Sequence, residues 1–148
     1  MGSPGVITVR AAAPADDDRL RIVAETSKGH WGYEPERLRA WAAKLDLSRE
    51  IWVAEVDGEI VAWAALLPPA DGVCELDDLW VEPGSIGRGI GTILFDHAVR
   101  RSRSLGGRAL RWEADPNAVG FYERMGAATV GTATGSWGRE LPVMEIAL

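Results

Sequence analysis

Cysteine is almost missing from this chain of 148 residues, which contains only Cys74. A single cysteine excludes an intrachain disulfide and a cysteine-rich zinc site, and it fits a cytoplasmic setting. The start of the chain lacks a basic segment followed by an apolar one, so we expect no secretion signal. Every apolar run is shorter than the roughly 18 residues that cross a bilayer. These absences predict a cytoplasmic protein that does not span a membrane.

Positive charge is also scarce, with 16 lysines and arginines against 22 acidic residues and a formal net charge of -6. This balance argues against a general surface for nucleic acid or for an anionic membrane. An anionic ligand would have to be held by a local arrangement of donors. The hydrophobic fraction of 47% is enough for a core, and the length predicts one domain over residues 1–148.

The pattern of apolar residues, turns and helix signals predicts the element order βααβββαβαββ. Asp57-Gly58 predicts a tight hairpin, and the stretch 68–72 predicts the end of the third strand. In the next strand, residues 73–81, the apolar positions change parity, which predicts a β-bulge near residues 77–79. The expected fold class is a single α/β or α+β domain with one shared core.

Glycine is abundant at one junction, where Gly84, Gly87, Gly89 and Gly91 lie between an apolar strand and a helical pattern. A glycine-rich turn that leads into a helix presents unpaired N–H groups and can hold an anion, most often phosphate. No lysine lies in this stretch, so a Walker loop is excluded, and the glycine spacing also lacks the dinucleotide fingerprint. The junction therefore predicts a phosphate-binding loop of another kind.

The hexapeptide IGRGIG, residues 86–91, resembles motif A of the GNAT superfamily of N-acetyltransferases. Residues 113–127, EADPNAVGFYERMGA, resemble the later motif of that family, and the element order fits it over essentially the whole chain. Ile86 departs from the pattern, because the family usually has Arg or Gln there. The resemblance implies a mixed, mostly antiparallel sheet with a splayed, bulged strand and about four flanking helices. The finer likeness is to bacterial small-molecule enzymes.

An activity follows from this resemblance: an acetyl-CoA-dependent N-acetyltransferase that moves the acetyl group directly to a primary amine, without a metal. The acceptor stays open among an amino acid, a small amine or xenobiotic, and a peptide N-terminus. Two alternatives also remain. One is a catalytically degenerate domain that binds CoA or a partner, which Ile86 favours, and the other is an enzyme for longer acyl groups. Relatives often dimerise, so a homodimer is also open.

The resemblance also implies site residues, which we number in this sequence. The residues that would contact acetyl-CoA lie on the bulged strand, the glycine loop and the later motif: Leu79, Trp80, Val81, Ile86, Gly87, Arg88, Gly89, Ile90, Gly91, Thr92, Asn117, Phe121, Tyr122 and Arg124. Of these, Arg88 and Arg124 are candidates for the adenosine 3′-phosphate. Asn117 would in addition cap its helix, and capping alone would explain it.

Catalytic roles follow for three side chains. Tyr122 would protonate the departing thiolate, because a phenol with a pKa near ~10 stays protonated at neutral pH; out of this motif it would be a core tyrosine. Glu75 is the preferred base, directly or through water, and Asp78 is the next candidate, although both also suit a solvated strand face. His30 and Trp31 precede the second helix and would contact the acceptor.

Overall fold

The structure, a computed structural model, describes residues 5–30, 32–135 and 137–148. Its helices and strands follow the predicted order: β1 Ile7–Ala11, α1 Asp17–Gly29, α2 Pro35–Ala43, β2 Glu50–Val56, β3 Glu59–Ala70, β4 Val73–Val81, α3 Ile90–Ser104, β5 Ala109–Glu113, α4 Val119–Arg124, β6 Ala128–Thr134 and β7 Glu140–Ala147. No helix in these described ranges is long and apolar enough to cross a membrane.

Seven strands form one sheet in the order β1-β2-β3-β4-β5-β7-β6. β4 runs parallel to β5, whereas β1 pairs with β2, β5 with β7 and β6 with β7 in antiparallel fashion. A mixed, mostly antiparallel sheet with four helices confirms the predicted fold class. β6 contains a register shift between Thr129 and Gly131, which the sequence pattern did not predict.

Two Asp-Gly pairs set the hairpins on either side of β3. Asp57 and Gly58 have φ of 51° and 83°, and Asp71 and Gly72 have φ of 51° and 79°. Positive φ at both central residues is the conformation that joins twisted antiparallel strands most tightly. The predicted end of β3 at its two prolines is wrong, because the strand continues to Ala70. Proline keeps a φ that a strand tolerates and only loses a donor.

Contacts divide the chain into two compact units, and the first consists of residues 1–65 and 78–96. Its core is made by apolar side chains of α1, β2 and β3: Leu20, Val23, Ala24, Ile51, Val53, Ile60, Trp63 and Ala65. Trp63 is fully buried, and its indole N–H donates to the backbone oxygen of Leu20 at 2.9 Å. This bond satisfies the one polar atom that the indole brings into the core.

The second unit consists of residues 66–77 and 97–148. Cys74, Leu110 and Met144 are completely buried in it. A Cβ on Gly107 would lie 2.7 Å from the sulfur of Cys74, so glycine allows the chain after α3 to pack directly on β4. Cys74 is therefore a core residue. The single domain over residues 1–148 stays a prediction.

Candidate active site

The glycine-rich loop between β4 and α3 lies in the first unit. After a 3-10 turn at Pro83–Ser85, Gly87 and Gly89 have φ of +87° and +77°, a left-handed conformation that other residues rarely adopt. A Cβ built on either glycine would meet no described atom within 4 Å. The glycines are therefore required by the backbone conformation, and the surface of the loop faces open space.

Backbone donors line the start of α3. The helix begins at Ile90, and the N–H of Ile93 donates to the oxygen of Gly89 at 3.1 Å. The amides of residues 90–92 precede this bond, and amides in the first turn of a helix have no intrahelical acceptor. They also lie at the positive end of the helix dipole, which favours a negative charge. The loop can thus hold phosphate groups through backbone atoms alone.

Buried residues and backbone hydrogen bonds at both ends of the loop fix its position. Ser85 is 6% exposed, and its N–H donates to Glu82 O at 2.8 Å, while the N–H of Glu82 donates to Val61 O at 2.8 Å. Ile90, the first helical residue, is 1% exposed. Above this support, Ile86 is 54% exposed and Arg88 is exposed as well. Arg88 is therefore the side chain of the loop that can add positive charge.

A cavity of about 540 Å³ adjoins the same loop and is lined in part by Asp57, Glu59, Glu82 and Arg88. Arg19 lies 3.3 Å from both Glu59 and Glu82, so it already pairs with two of the three carboxylates. Carboxylates raise the electrostatic energy of a nearby phosphate. The cavity is therefore a poor phosphate site, and the exposed amides of the loop are the better one.

Residues 78–81 form the end of β4 in the first unit and include the predicted cofactor contacts Leu79, Trp80 and Val81. Burial alternates strictly from Cys74 to Asp77, and from Asp78 onward every residue is half-buried. The change comes where the sequence pattern predicts a β-bulge, although the bulge itself stays a prediction. Residues 78–81 are therefore partly accessible to solvent.

Asp78 is engaged on both carboxylate oxygens. One accepts from Arg49 at 2.7 Å and the other accepts from the indole N–H of Trp80 at 3.0 Å. The side chains of Arg49 and Asp78 are only 9% and 13% exposed. A nearly buried ion pair is costly to break. Asp78 is therefore better suited to holding Trp80 than to accepting protons, which leaves Glu75 as the stronger candidate base.

Glu75 lies in the second unit at the end of the parallel ladder between β4 and β5. The pairs are Val73 with Ala109, Cys74 with Leu110 and Glu75 with Arg111, and β5 continues two residues further. Glu75 is exposed by surface area, but partial desolvation of its carboxyl raises the pKa, as do the charges of Asp77 and Glu113, while Arg111 opposes them. The shift moves this carboxyl toward the range in which a general base works at neutral pH.

Tyr122 is buried in the second unit, with 8% of its surface exposed. Its ring centroid lies 4.9 Å from that of Trp112 and 5.0 Å from that of Phe121. Burial raises the pKa of the phenol above its usual value of 10, and the charge of Asp115 raises it further. The phenol is therefore protonated throughout the physiological pH range, as a proton donor must be.

Asn117 and Arg124, two further predicted cofactor contacts from the later motif, are exposed. Asn117 does not cap the helix, and that part of its predicted role is wrong. Asp115 caps the 3-10 turn before α4, since its carboxylate accepts from the N–H of Asn117 at 2.8 Å. The turn displaces Asn117 from the cap position, because α4 begins only at Val119. Arg124 ends α4 with an exposed side chain.

Comparisons with known proteins assign the chain to a family. The sequence model of the acetyltransferase (GNAT) family matches residues 18–127. The chain belongs to that family. An uncharacterized N-acetyltransferase of Methanocaldococcus jannaschii is 28% identical over an alignment of 135 positions, and the match covers 80% of this chain and 59% of that protein. The mycothiol acetyltransferase of Streptomyces avermitilis is 31% identical over an alignment of 139 positions, and the match covers 85% of this chain and 44% of that protein.

The chain thus spans about half the length of these two GNAT relatives. A solved GNAT structure has the same fold: the PaiA N-acetyltransferase from Thermoplasma acidophilum in complex with coenzyme A superposes with a TM-score of 0.77 at 21% identity. The superposition covers 97% of this chain and 99% of that one. The GNAT fold that the motifs implied is thereby confirmed.

The GNAT family uses acetyl-CoA. The glycines of the loop are exposed, and Gly87 and Gly89 have positive φ. Among the described residues, no group of three or more His, Cys, Asp or Glu side chains could hold a metal ion. The roles assigned to individual residues stay predictions.

The predicted acceptor residues of this GNAT chain have different outcomes. His30 lies exposed at the end of α1, where its N–H donates to Thr26 O at 3.1 Å. Trp31 lies outside the described residues. Sequence reasoning missed two further residues of the first unit: Arg49, the partner of Asp78, and Lys28, which lies against several aromatic rings. The two tryptophans and the tyrosine within residues 31–41 could have indicated an aromatic environment for Lys28.

Proposed function

We propose that this chain is an acetyl-CoA-dependent N-acetyltransferase that transfers the acetyl group directly to a primary amine of a small molecule or peptide. The observation that carries the proposal is the open glycine loop that leads into the first-turn amides of α3, where Gly87 and Gly89 have positive φ and a Cβ on either would meet no described atom within 4 Å. A core loop would cover those amides. Membership of the family supplies the reaction class, and the single cysteine is compatible with a cytoplasmic location.

Acetyl-CoA would supply an activated acetyl group as a thioester. The loop amides of residues 87–92 would hold its diphosphate, with Arg88 adding charge, and residues 79–81 would offer main-chain hydrogen bonds to the rest of the molecule. These contacts bind and orient the cosubstrate and convert a bimolecular encounter into a positioned one. Asn117, Phe121 and Arg124 are the proposed contacts from the later motif.

Protons move in two places during the proposed reaction. The amine nitrogen attacks the thioester carbon, so that a C–N bond forms and the C–S bond breaks. Glu75, directly or through water, takes the proton that the amine loses. Tyr122 gives a proton to the departing sulfur, because its phenol holds that proton at neutral pH. Neither step needs a covalent acyl-enzyme.

The decisive test measures free thiol released from acetyl-CoA with a panel of amines that includes amino acids, small amines and a peptide N-terminus. We expect thiol release that depends on both the protein and an amine. Propionyl-CoA and succinyl-CoA in parallel test a preference for longer acyl groups. Binding of acetyl-CoA without release of thiol with any amine would contradict the proposal.

A second candidate function is a degenerate domain that binds CoA without turnover. Ile86 is the observation that favours it, because it is 54% exposed and apolar where the family usually has Arg or Gln. An apolar side chain there provides no hydrogen bond to an anionic cosubstrate. Ile86→Arg distinguishes the two: in an active enzyme it should lower the Kd for acetyl-CoA severalfold and leave turnover at saturation unchanged. Thiol release that stays absent in this variant would favour the degenerate domain.

A further inference from the structure

Three aromatic rings in the first unit surround the ammonium group of Lys28. Its nitrogen lies 4.7 Å from the ring centroid of Tyr33, 5.1 Å from that of Trp41 and 5.6 Å from that of Trp80. A cation within about 6 Å of an aromatic face is attracted by the negative charge of that face. We call these three residues the aromatic cage. Lys28 shows that the cage accepts an organic ammonium group.

The walls of the aromatic cage are held by contacts that do not involve Lys28. The indole N–H of Trp80 donates to Asp78 at 3.0 Å, and Asp78 in turn pairs with Arg49 at 2.7 Å. Trp41 packs edge-on against Trp80, with ring centroids 5.2 Å apart and an interplanar angle of 76°. The donated hydrogen bond also makes the indole ring more electron-rich, which strengthens its attraction for a cation. The cage is therefore preorganised for an ammonium.

The cage is open to exchange of its occupant. Tyr33, Trp41, Trp80 and Lys28 are all half-buried, so water and small molecules reach them. Lys28 lies in the last turn of α1, and its side chain has four rotatable bonds through which it can leave. Replacing one ammonium by another retains the same kind of contact with the rings. The exchange therefore costs little, and the rest of the ligand can determine whether it occurs.

We infer that the aromatic cage is a binding site for an organic ammonium group, and that Lys28 occupies it until such a ligand displaces it. A cage of this kind stabilises the protonated form of an amine over the neutral form. The nucleophile of an acetyl transfer must be neutral. The caged cation is therefore distinct from the amine that reacts, and the acceptor of the proposed reaction carries two amino groups or one amine and a quaternary ammonium.

Only the assignment of this ligand to the acceptor depends on the proposed function. The cation site itself is tested without acetyl-CoA, by titrating the protein with choline and with 3,3-dimethylbutan-1-ol, its neutral isostere. The indole N–H signals of Trp41 and Trp80 in nuclear magnetic resonance spectra report binding at the cage. We expect choline to shift both signals and the alcohol to shift them far less. Equal shifts would overturn the cation site.

Lys28→Ala and Lys28→Arg form a matched pair for the resident cation. If Lys28 fills the cage in nine of ten molecules, its removal should lower the apparent Kd for choline about tenfold. Lys28→Arg retains a cation that competes for the cage, so its Kd should stay near that of the unchanged protein. No tightening in a folded Lys28→Ala protein would overturn the role of Lys28 as occupant. Preserved dispersion of the indole signals establishes that the variant is folded.

The aromatic wall is tested with the double variant Lys28→Ala/Tyr33→Leu. Choline should bind it about fivefold more weakly than it binds Lys28→Ala, because one cation–π contact is lost. Unchanged binding would show that choline binds elsewhere.

Whether the aromatic cage binds the acceptor is tested by comparing 1,5-diaminopentane with pentylamine in the thiol-release assay. We expect a higher kcat/KM for the diamine and loss of that preference in Tyr33→Leu. If both amines are acetylated equally, the cage does not bind the acceptor. If CoA fails to bind, the acetyltransferase proposal fails, whereas the cation site measured with choline is unaffected.

Discussion

Burial determines what Tyr122 can do at the scale of single residues. The phenol is packed against Trp112 and Phe121, and its pKa is raised, so it carries its proton at every physiological pH. Glu75 has the complementary property, since the raised pKa of its carboxyl makes it a better proton acceptor than an ordinary glutamate. A donor that stays protonated and an acceptor of raised basicity are the two groups that acetyl transfer to an amine requires.

Tyr122→Phe removes the proposed proton donor and retains the ring that packs in the second unit. We expect kcat to fall about 10²-fold, in the range typical of a lost general acid, while the Kd for acetyl-CoA changes by less than about twofold. Steady-state kinetics and calorimetric titration measure the two quantities. A loss of acetyl-CoA affinity as large as the loss of turnover, together with a lower Tm, would show that the role of Tyr122 is packing.

Glu75→Gln tests the base through the dependence of kcat/KM on pH. A carboxylate base works only when deprotonated, so activity should rise with pH through the pKa of Glu75, which lies above its ordinary value of 4.5. In the variant, this fall of kcat/KM at low pH should disappear, and the rate should be about 10²-fold lower. Asp77→Asn is the matched control: it removes a negative charge that raises the pKa of Glu75, so the limb should move to lower pH. An unchanged limb in Glu75→Gln would exclude Glu75 as the base.

At the scale of elements, the loop between β4 and α3 is the proposed anion site. The strand ends at Val81, a 3-10 turn follows, and two glycines at positive φ lead into the first turn of α3. A helix start usually has a side chain that caps its amides. Here the glycines Gly87 and Gly89 precede Ile90, so the amides stay available for a ligand.

Gly89→Ala and Gly138→Ala separate strain from binding. Both glycines have φ of +77°, and a Cβ on either would meet no described atom within 4 Å. Alanine at such a φ should lower the free energy of unfolding by about 1 kcal/mol in both variants. Only Gly89→Ala should weaken acetyl-CoA binding, by about fivefold or more, because only that amide belongs to the loop. Equal affinities in the two variants, measured by calorimetry, would argue against the loop as the diphosphate site.

The charge of the whole molecule gives no help in attracting an anionic cosubstrate. With a net charge of -6, the protein repels such a molecule at long range. Binding must then come from short-range donors, which are the loop amides and Arg88.

Binding of CoA should therefore stabilise the folded chain measurably. At a CoA concentration of a hundred times Kd, the expected gain in the free energy of unfolding is about 2.7 kcal/mol, which raises Tm by several degrees. Hydrogen exchange should slow most at the amides of residues 87–92. Gly89→Ala at the same CoA concentration serves as the control and should show a smaller rise. No change in Tm and no protection of those amides would remove the basis of the proposed function.

The sequence by itself determined the order of the elements, the turns at Asp57-Gly58 and Asp71-Gly72, and the loop that leads into α3. These features depend on local periodicity and on the conformational needs of Gly and Pro. It misplaced the end of β3 at its prolines, and it assigned the cap to Asn117 when Asp115 is two residues away. Only the tertiary structure showed that Arg49 forms an ion pair with Asp78 and that three aromatic rings surround Lys28. It also showed that desolvation raises the pKa of the Glu75 carboxyl and of the Tyr122 phenol. Partners distant in sequence leave no periodic signal, since their contacts exist only after the chain has folded.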